Sequence, residues 1–536
     1  MDEFQGGWTM GIFLRLYVSQ NVTPKEWEQA YLATLPLIEK LPLLEFKDKT
    51  PKGYSMLSGA KTVERELYNG LGWRTVGDYQ SYNTAEDFIL YRKIPLQGNG
   101  EYFDPILLLG AEQSIIDFRD ERIAGKYLEF WDSKTQGEPY HVFLLAIACY
   151  MAEILQDKLV IGGDITRGQC KIAVNWLEDL LDKKVNLPIQ CDCERLYSHT
   201  RKLPLTQSEI LEFFLAVYNG TLTKEIADFV KTHFTDEEIY LYWKNRFSAY
   251  PADSIGFHEV LRDFLYMDCA VSDIAKYVDI AAGDGKNVAE EIIKNIMDSE
   301  LHIKDKDCKD ILTIDKEAEG TYSINTLLAG VFFSGAHNWR VDRYIPMDEL
   351  RKEIAIAFGN VADTDAIIDN YLEEQRKKSN DISPEKNPDK FLKSKMDSML
   401  EKRKSETEEY DIYDYDQLRF FENGDTFSPK VWENTFSMFK FYLSATEEDT
   451  LQELKNEGAE SCINFLCKNN RSITLLGDDW DKIFDKIKSD VEIFNRYYPA
   501  VRVKVTSNNV EHILRAFVLN DELWNFLSTS AAQKIS

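Results

Sequence analysis

Apolar and polar residues follow two different spacings along this chain, and the spacing changes near residue 110. The apolar run at residues 11–18, GIFLRLYV, predicts a buried strand. Shorter apolar runs at residues 88–91 and 105–109 are separated by clusters of glycine, asparagine and aspartate, which are typical of turns. Residues 1–110 are therefore predicted to form a small α/β or α+β domain.

One helix is predicted inside that first domain. Thr23 is placed to cap the helix, and Pro24 fits its first turn because an N–H group at that position has no partner within a helix. We expect the helix to end near Leu35, because Pro36 disfavours a helical conformation in the residue before it.

From about residue 111 the apolar residues recur at helical spacing, and residues 111–372 are predicted to form a mainly helical body. Its helix starts carry a threonine followed three residues later by Glu or Gln, a pair that satisfies backbone N–H groups of the first turn. These pairs are Thr166 with Gln169, Thr206 with Glu209, and Thr235 with Glu238.

The rest of the chain divides into a charged linker and a last domain. Residues 373–409 are rich in Lys, Glu, Ser and Asp, which predicts a linker that is in part helical. In residues 410–536, the alternation of Val501, Val503 and Val505 predicts a short strand, which is followed by a helix capped by Asn508. The predicted fold class is therefore multidomain α+β and predominantly α-helical, with a C-terminal helical domain that contains a short strand.

Two stretches of the chain resemble each other. Residues 245–247, Asn-Arg-Phe, and the following Tyr-Pro-Ala at 250–252 are echoed by Asn-Arg-Tyr-Tyr-Pro-Ala at 495–500, and each stretch precedes an amphipathic helix. The two helices, at residues 258–268 and 511–521, share Leu, Arg, Phe and Asp at matching offsets. Either a duplicated helical unit or chance similarity between amphipathic helices explains this pattern.

Charge and cysteine content narrow the class of protein. The 536 residues include 63 Lys and Arg against 91 Asp and Glu, a formal net charge of −28. Broad binding to nucleic acid or to anionic membranes is disfavoured, because neutralising phosphates requires clustered basic residues. Eight cysteines are too few for a disulfide scaffold, and the sequence contains neither a secretory signal pattern nor an apolar stretch that predicts a membrane span, so we expect a cytoplasmic protein.

A search for catalytic chemistry finds one candidate anion site. The sequence lacks a phosphate-binding lysine loop, a metal-ligand spacing and a serine-nucleophile elbow, so neither a metal nor a cofactor is predicted. The glycine-containing turn at residues 162–169 lies between an apolar run and a helix, where backbone N–H groups can bind an anion. Asp164, Thr166 and Arg167 are its candidate residues, and a simple strand-to-helix turn capped by Thr166 is the structural alternative.

The most distinctive surface candidate is an acidic tract that contains several tyrosines and marks the start of the last domain. Clustered carboxylates attract basic groups, and tyrosines supply rigid contact area. The candidate partner-binding residues are Glu408, Glu409, Tyr410, Asp411, Tyr413, Asp414, Tyr415 and Asp416.

The leading hypothesis is a non-enzymatic interaction protein, such as a scaffold, inhibitor or immunity-type partner, that docks a basic or mixed-charge protein through this tract. The alternative is an enzyme that acts on a phosphate-bearing substrate, a nucleotide or nucleic acid, at the 162–169 turn.

Overall fold

The computed structural model describes residues 12–49, 56–79, 81–96, 103–280, 285–304, 339–379, 415–470, 473–503 and 508–533. Within these ranges the strands are β1 (Phe13–Ser19), β2 (Leu43–Lys49), β3 (Met56–Lys61), β4 (Arg65–Leu67), β5 (Gly70–Asp78), β6 (Thr84–Tyr91), β7 (Tyr127–Lys134) and β8 (Leu159–Gly163).

Helices make up most of the described chain. Up to residue 379 they are α1 (Pro24–Lys40), α2 (Leu107–Glu112), α3 (Tyr140–Leu155), α4 (Arg167–Leu181), α5 (Cys193–Thr200), α6 (Gln207–Val217), α7 (Lys224–His233), α8 (Asp236–Ser248), α9 (Ile255–Tyr266), α10 (Gly285–Asp298), α11 (Met347–Phe358) and α12 (Thr364–Ser379). The later helices are α13 (Pro429–Ser444), α14 (Glu448–Glu457), α15 (Ala459–Asn469), α16 (Gly477–Ser489), α17 (Phe494–Tyr497), α18 (Asn508–Leu519) and α19 (Asp521–Gln533). Short 3-10 turns lie at Gln156–Lys158, Ile189–Cys191, Val271–Lys276, Tyr415–Phe420, Val491–Ile493 and Tyr498–Val501.

The chain groups into two compact units, each assembled from separate segments. The first unit takes residues 1–23, 96–132 and 148–397, and the second unit takes residues 24–95, 133–147 and 398–536. The fold class expected from the sequence, multidomain α+β with predominant helix, is confirmed. The sequence predicts domain boundaries at residues 110, 372 and 409. These boundaries stay predictions, because they concern whether each segment folds independently.

The first unit contains a three-stranded sheet in the order β7-β1-β8. β1 and β8 run antiparallel, with Leu16 opposite Ile161. Both of these side chains are buried, as expected for strands whose sequences, GIFLRLYV and LVIGG, are almost entirely apolar or glycine. The main core of this unit is helical and is centred on aromatic residues of α8 and α9, including Trp243, Phe247 and Phe264.

The second unit combines a five-stranded sheet with the C-terminal helices. The strand order is β3-β2-β5-β4, and β6 pairs with β5 on a separate path. An isolated bridge joins Gly59 of β3 to Leu476, which immediately precedes α16, so the sheet and the helices of this unit contact each other directly. Buried apolar side chains of α13 to α19 form the helical core, with Phe439, Tyr442 and Phe517 in mutual ring contact.

Most predicted helix starts are confirmed. The three Thr-to-Glu or Thr-to-Gln pairs all form reciprocal capping boxes at the starts of α4, α6 and α8. Helix α1 begins at Pro24 as expected, but its predicted end is wrong, because the helix continues through Pro36 to Lys40. The buried side chains of Leu37 and Ile38 lie beyond the proline, and their burial outweighs the loss of one backbone hydrogen bond.

Three further features bear on the remaining predictions. The predicted short strand is wrong at Val501 and Val503, because Val501 ends a 3-10 turn and Val503 lies in a bend. Val505 is outside the described residues. Most of the predicted linker, from residue 380 to residue 409, is also outside them, and residues 373–379 belong to α12. Among the helices that the structure describes, none has both the length and the apolar character needed to cross a bilayer.

Candidate functional site

A large cleft in the second unit has a volume of about 1310 Å³. It lies among the 3-10 turn at Tyr415–Phe420 and helices α16 to α19. Its wall combines aromatic rings with side chains of both charges. The aromatic residues are Tyr79, Tyr82, Phe420, Tyr497 and Trp524, the cations are Arg419, Lys482, Lys486 and Arg496, and the acids are Asp479, Asp485, Asp490, Glu492 and Asp521.

Arg496 is the most deeply buried cation in this wall, with 5 % of its surface exposed. It lies on α17, a helix of four residues, and its Nε donates a hydrogen bond to the carbonyl oxygen of Phe517 at 2.7 Å. Its Nη1 donates to Asp521. Among the described residues, Nη2 has no hydrogen-bond partner, although this atom is buried. One donor of a buried guanidinium is therefore left for a ligand.

The neighbouring residue, Tyr497, is also buried and also has an unused hydrogen-bond donor. Its side chain is 1 % exposed, and within the described part of the chain its hydroxyl also has no hydrogen-bond partner. Burial raises the pKa of Tyr497, although the positive charge of Arg496 opposes that shift, so the hydroxyl keeps its proton at neutral pH. The Cζ atom of Arg496 lies 5.5 Å from the centroid of this ring and 5.3 Å from that of Trp524. The two unused donors therefore lie beside an aromatic wall.

The acidic residues of the wall, in contrast, all have partners on the protein. These contacts are Asp479 with Lys482, Asp485 with Lys488, Asp490 with the backbone N–H of Glu492, Glu492 with Lys455, and Asp521 with Lys486 and Arg496. Each acid of the wall therefore already has at least one partner on the protein, whereas Arg496 Nη2 and the Tyr497 hydroxyl have none within the described residues.

Basic residues also surround Tyr82 at one end of the cleft. The Cζ atoms of Arg419 and Arg515 lie 4.9 and 4.6 Å from the centroid of the Tyr82 ring. Burial, together with the positive charges of Arg515 and Arg419, lowers the pKa of His512 to about 4. The imidazole is therefore neutral at pH 7, and the two arginines favour negative charge in this part of the unit.

The candidate anion turn of the first unit uses its polar groups internally. Asp164 accepts a hydrogen bond from the backbone N–H of Phe13 at 2.8 Å, and burial raises the pKa of its carboxyl group. Thr166 caps α4 by accepting from the N–H of Gln169, and Arg167 Nε donates to the carbonyl oxygen of Cys191 at 2.9 Å. An anion bound by Asp164, Thr166 and Arg167 stays a prediction, and the contacts described here match the structural alternative.

An anion of the protein itself lies against this turn. Glu112 accepts hydrogen bonds from Arg15 at 3.1 Å and from the Tyr17 hydroxyl at 2.7 Å, and its other oxygen accepts from the N–H of Gly163 at 3.3 Å. A Cβ atom on Gly162 would lie 2.8 Å from both Glu112 oxygens, and Gly163 has a φ of +89°. Gly162 is thus needed for the close approach of an internal carboxylate, and Gly163 for the left-handed backbone of the turn.

The acidic tract lies mostly beyond what the structure describes. Glu408, Glu409, Tyr410, Asp411, Tyr413 and Asp414 are outside the described residues. Tyr415 does not face outward as the partner-binding prediction requires. It is 4 % exposed, and its hydroxyl accepts a hydrogen bond from Asn434 at 2.7 Å, because its ring belongs to the helical core of the second unit. Asp416 follows it in the 3-10 turn that also carries Arg419 and Phe420.

A smaller cavity, of about 500 Å³, lies in the first unit. His199 of α5 and Asp104 form a hydrogen bond through Nε2 and Oδ2, and both residues line this cavity. Asp104 Oδ1 also accepts from the N–H of Ile106 at 3.2 Å, which fixes the carboxylate. Arg195 and Lys202 lie in the same wall, so the cavity brings together a histidine, a carboxylate and two basic groups.

Within the described residues, no three His, Cys, Asp or Glu side chains come together in an arrangement that could hold a metal ion. Comparison with protein-family models, with curated proteins and with solved structures gives no match to this chain.

Sequence reasoning did not identify either cavity. The wall of the cleft joins residues from 79 to 525, and His199 and Asp104 are 95 positions apart. The only available signal was the repeated Asn-Arg-aromatic stretch, which contains Arg496 but does not reveal its environment.

Proposed function

We propose that this chain is a non-enzymatic interaction protein that docks a mixed-charge protein partner through its second unit. The observation that carries the proposal is the position of Phe420. This ring is 60 % exposed, lines the cleft, and follows the acidic tyrosine tract by four residues. Aromatic residues, phenylalanine among them, are enriched at protein–protein interfaces.

The charge of the chain supports the same proposal. With a net charge of −28, the protein attracts basic surfaces at long range, and the tract at residues 408–416 concentrates that charge next to the cleft along the chain. The partner would place basic residues against the tract and an apolar side chain against Phe420.

Site-specific photo-crosslinking tests this proposal. A benzophenone amino acid in place of Phe420 should crosslink one partner of defined mass in native extract, and the yield should fall when salt is raised or when residues 406–414, which precede the buried Tyr415, are deleted. The matched control is the same amino acid in place of Tyr68, which is fully exposed in the second unit. Equal crosslinking from both positions, or none from position 420, would contradict the proposal.

A second candidate function, an enzyme acting on a phosphate-bearing substrate, is favoured by one observation, the His199 and Asp104 pair beside Arg195 and Lys202. A carboxylate that orients an imidazole is a common general-base arrangement, and basic groups can hold phosphate. Release of inorganic phosphate from a panel of phosphate monoesters, abolished in His199→Gln, would support this function. The absence of release from the whole panel would count against it.

A further inference from the structure

We propose that the cleft of the second unit binds a carboxylate group carried on a peptide segment of a protein partner, held by Arg496 Nη2 and the Tyr497 hydroxyl. This inference rests on the proposed function and adds to it the chemistry that the partner presents.

The first argument is the unused hydrogen-bonding capacity of two buried donors. A buried polar atom without a partner costs on the order of 1–3 kcal/mol, so such atoms are rare unless something else satisfies them. Here two of them belong to consecutive residues in one wall, and both residues are more than nine-tenths buried. A ligand that accepts hydrogen bonds at this point would satisfy both, once the two side chains turn toward the cleft.

The second argument concerns the sign of the ligand's charge. A guanidinium nitrogen can only donate hydrogen bonds, and the acids around the cleft already pair with groups of the protein. An oxyanion therefore meets two donors that have no competing acceptor among the described residues, whereas a cation at the same point would meet the positive charge of the guanidinium. Hydrogen bonds between charged groups of this kind are stronger than neutral ones.

The third argument is the shape and lining of the cleft. The Trp524 ring flanks Arg496, and Ile483, Val518 and Leu519 contribute apolar surface to the same wall. A volume of about 1310 Å³ is larger than one side chain requires, and is of the size that takes several residues. Two donors for two oxygens, next to apolar walls, fit a carboxylate with an apolar neighbour.

A pair of small probes isolates the carboxylate. N-acetyl-L-phenylalanine and N-acetyl-L-phenylalaninamide differ only in the acid group, and we expect the acid to bind the full-length protein with a Kd on the order of 1 mM. Ligand-detected saturation-transfer NMR measures this range. The amide should bind at least tenfold more weakly, because it lacks the charge that the guanidinium attracts.

Neighbouring tyrosines supply matched variants. Tyr497→Phe removes a hydroxyl that makes no hydrogen bond to a described residue, so the protein should fold normally while its affinity for the acid falls about tenfold. Tyr498→Phe removes a hydroxyl that lies 3.5 Å from Glu447 and belongs to no part of the cleft wall, and it should leave the affinity unchanged. Arg496→Gln should abolish binding. If the Arg496→Gln protein does not fold, Tyr497→Phe still tests the inference.

Three results would overturn the inference: no saturation transfer to the acid, equal affinity for the acid and the amide, or equal effects of Tyr497→Phe and Tyr498→Phe. The probe assay uses the protein alone. If the acid binds and no partner crosslinks at position 420, the proposed function fails while the carboxylate site stands. If a partner crosslinks and the acid does not bind, only the carboxylate site fails.

Discussion

Asn245-Arg246-Phe247 in the first unit and Asn495-Arg496-Tyr497 in the second unit each place an arginine ahead of a helix of 12 residues, but the two guanidinium groups are used differently. Arg246 donates to the Tyr242 hydroxyl at 2.9 Å and to Asp263 of α9 at 3.0 Å. Both of its terminal nitrogens therefore bond to side chains of its own unit.

The difference originates in the helix that follows. When α9 and α18 are aligned on the leucine and phenylalanine that they share, Ala516 occupies the position of Asp263. The second unit thus has no carboxylate at the position from which Asp263 accepts a hydrogen bond from Arg246. Arg496 donates instead to the Phe517 carbonyl oxygen and to Asp521, and its Nη2 has no partner within the described residues. Similar local sequences can therefore place an arginine whose hydrogen bonds are made within the protein in one unit, and an arginine in a candidate binding site in the other.

The largest predicted effect on stability concerns the phenylalanine that α9 and α18 share. Phe264→Ala and Phe517→Ala remove equivalent rings that are 1 % and 0 % exposed, and each should lower the stability of its own unit by about 3–5 kcal/mol. Hydrogen exchange of peptides from α9 and α18 measures the two effects separately. A cost below about 1 kcal/mol for either substitution would show that the two helices do not have equivalent packing roles.

The next largest effect is a loss of stability of the second unit at acidic pH. Burial lowers the pKa of His141, in the second unit, to about 4, below its ordinary value of 6.5. Because the unfolded chain then binds the proton more readily, stability is lost as pH falls from about 6.5 toward 4. His141→Asn should reduce the loss of stability between pH 7 and pH 4.5 by about 2 kcal/mol, as measured by urea unfolding at each pH. An unchanged pH dependence would contradict a neutral, buried imidazole.

A smaller effect on stability is predicted for Asp263, the acid that accepts a hydrogen bond from Arg246. Asp263→Ala gives α9 the residue that α18 carries at the equivalent position, and it removes the acceptor of one guanidinium nitrogen. We expect a loss of about 1–2 kcal/mol in the unfolding free energy, with the change in hydrogen exchange confined to α8 and α9. If Asp263→Ala had no effect, the contact would not explain why the two arginines differ.

The smallest effect concerns two tyrosine hydroxyls in the absence of ligand. Tyr497→Phe should not lower stability and should raise it by about 1 kcal/mol, because it removes a buried hydroxyl that makes no hydrogen bond within the described chain. Tyr442→Phe should cost about 1 kcal/mol, because its buried hydroxyl donates to the carbonyl oxygen of Arg496. Thermal unfolding compares the two variants directly, and equal costs would indicate that the Tyr497 hydroxyl bonds within the protein.

Local signals predicted much of the fold. Capping at Thr166, Thr206 and Thr235 depends on side chains three residues apart, so the sequence alone identifies those helix starts. The end of α1 was missed because it depends on tertiary burial beyond Pro36, which overrides the local preference of proline.

The candidate site depends on tertiary structure even more. The sequence placed an anion at the 162–169 turn from its glycines, but it could not show that Glu112, about 50 residues earlier, lies against those glycines. The use of Arg496 likewise depends on which atoms of α18 and α19 reach it. Residue types along the chain indicate which groups can bind a ligand, and only their surroundings show which of those groups are already satisfied.

The most direct test of the central claim is a crystal structure of the full-length protein grown with N-acetyl-L-phenylalanine. We predict that the ligand carboxylate lies within about 3.2 Å of both Arg496 Nη2 and the Tyr497 hydroxyl, while Arg246 keeps its bonds to Tyr242 and Asp263. A protein side chain or backbone carbonyl bonded to Arg496 Nη2, with the ligand absent from the cleft, would contradict the account.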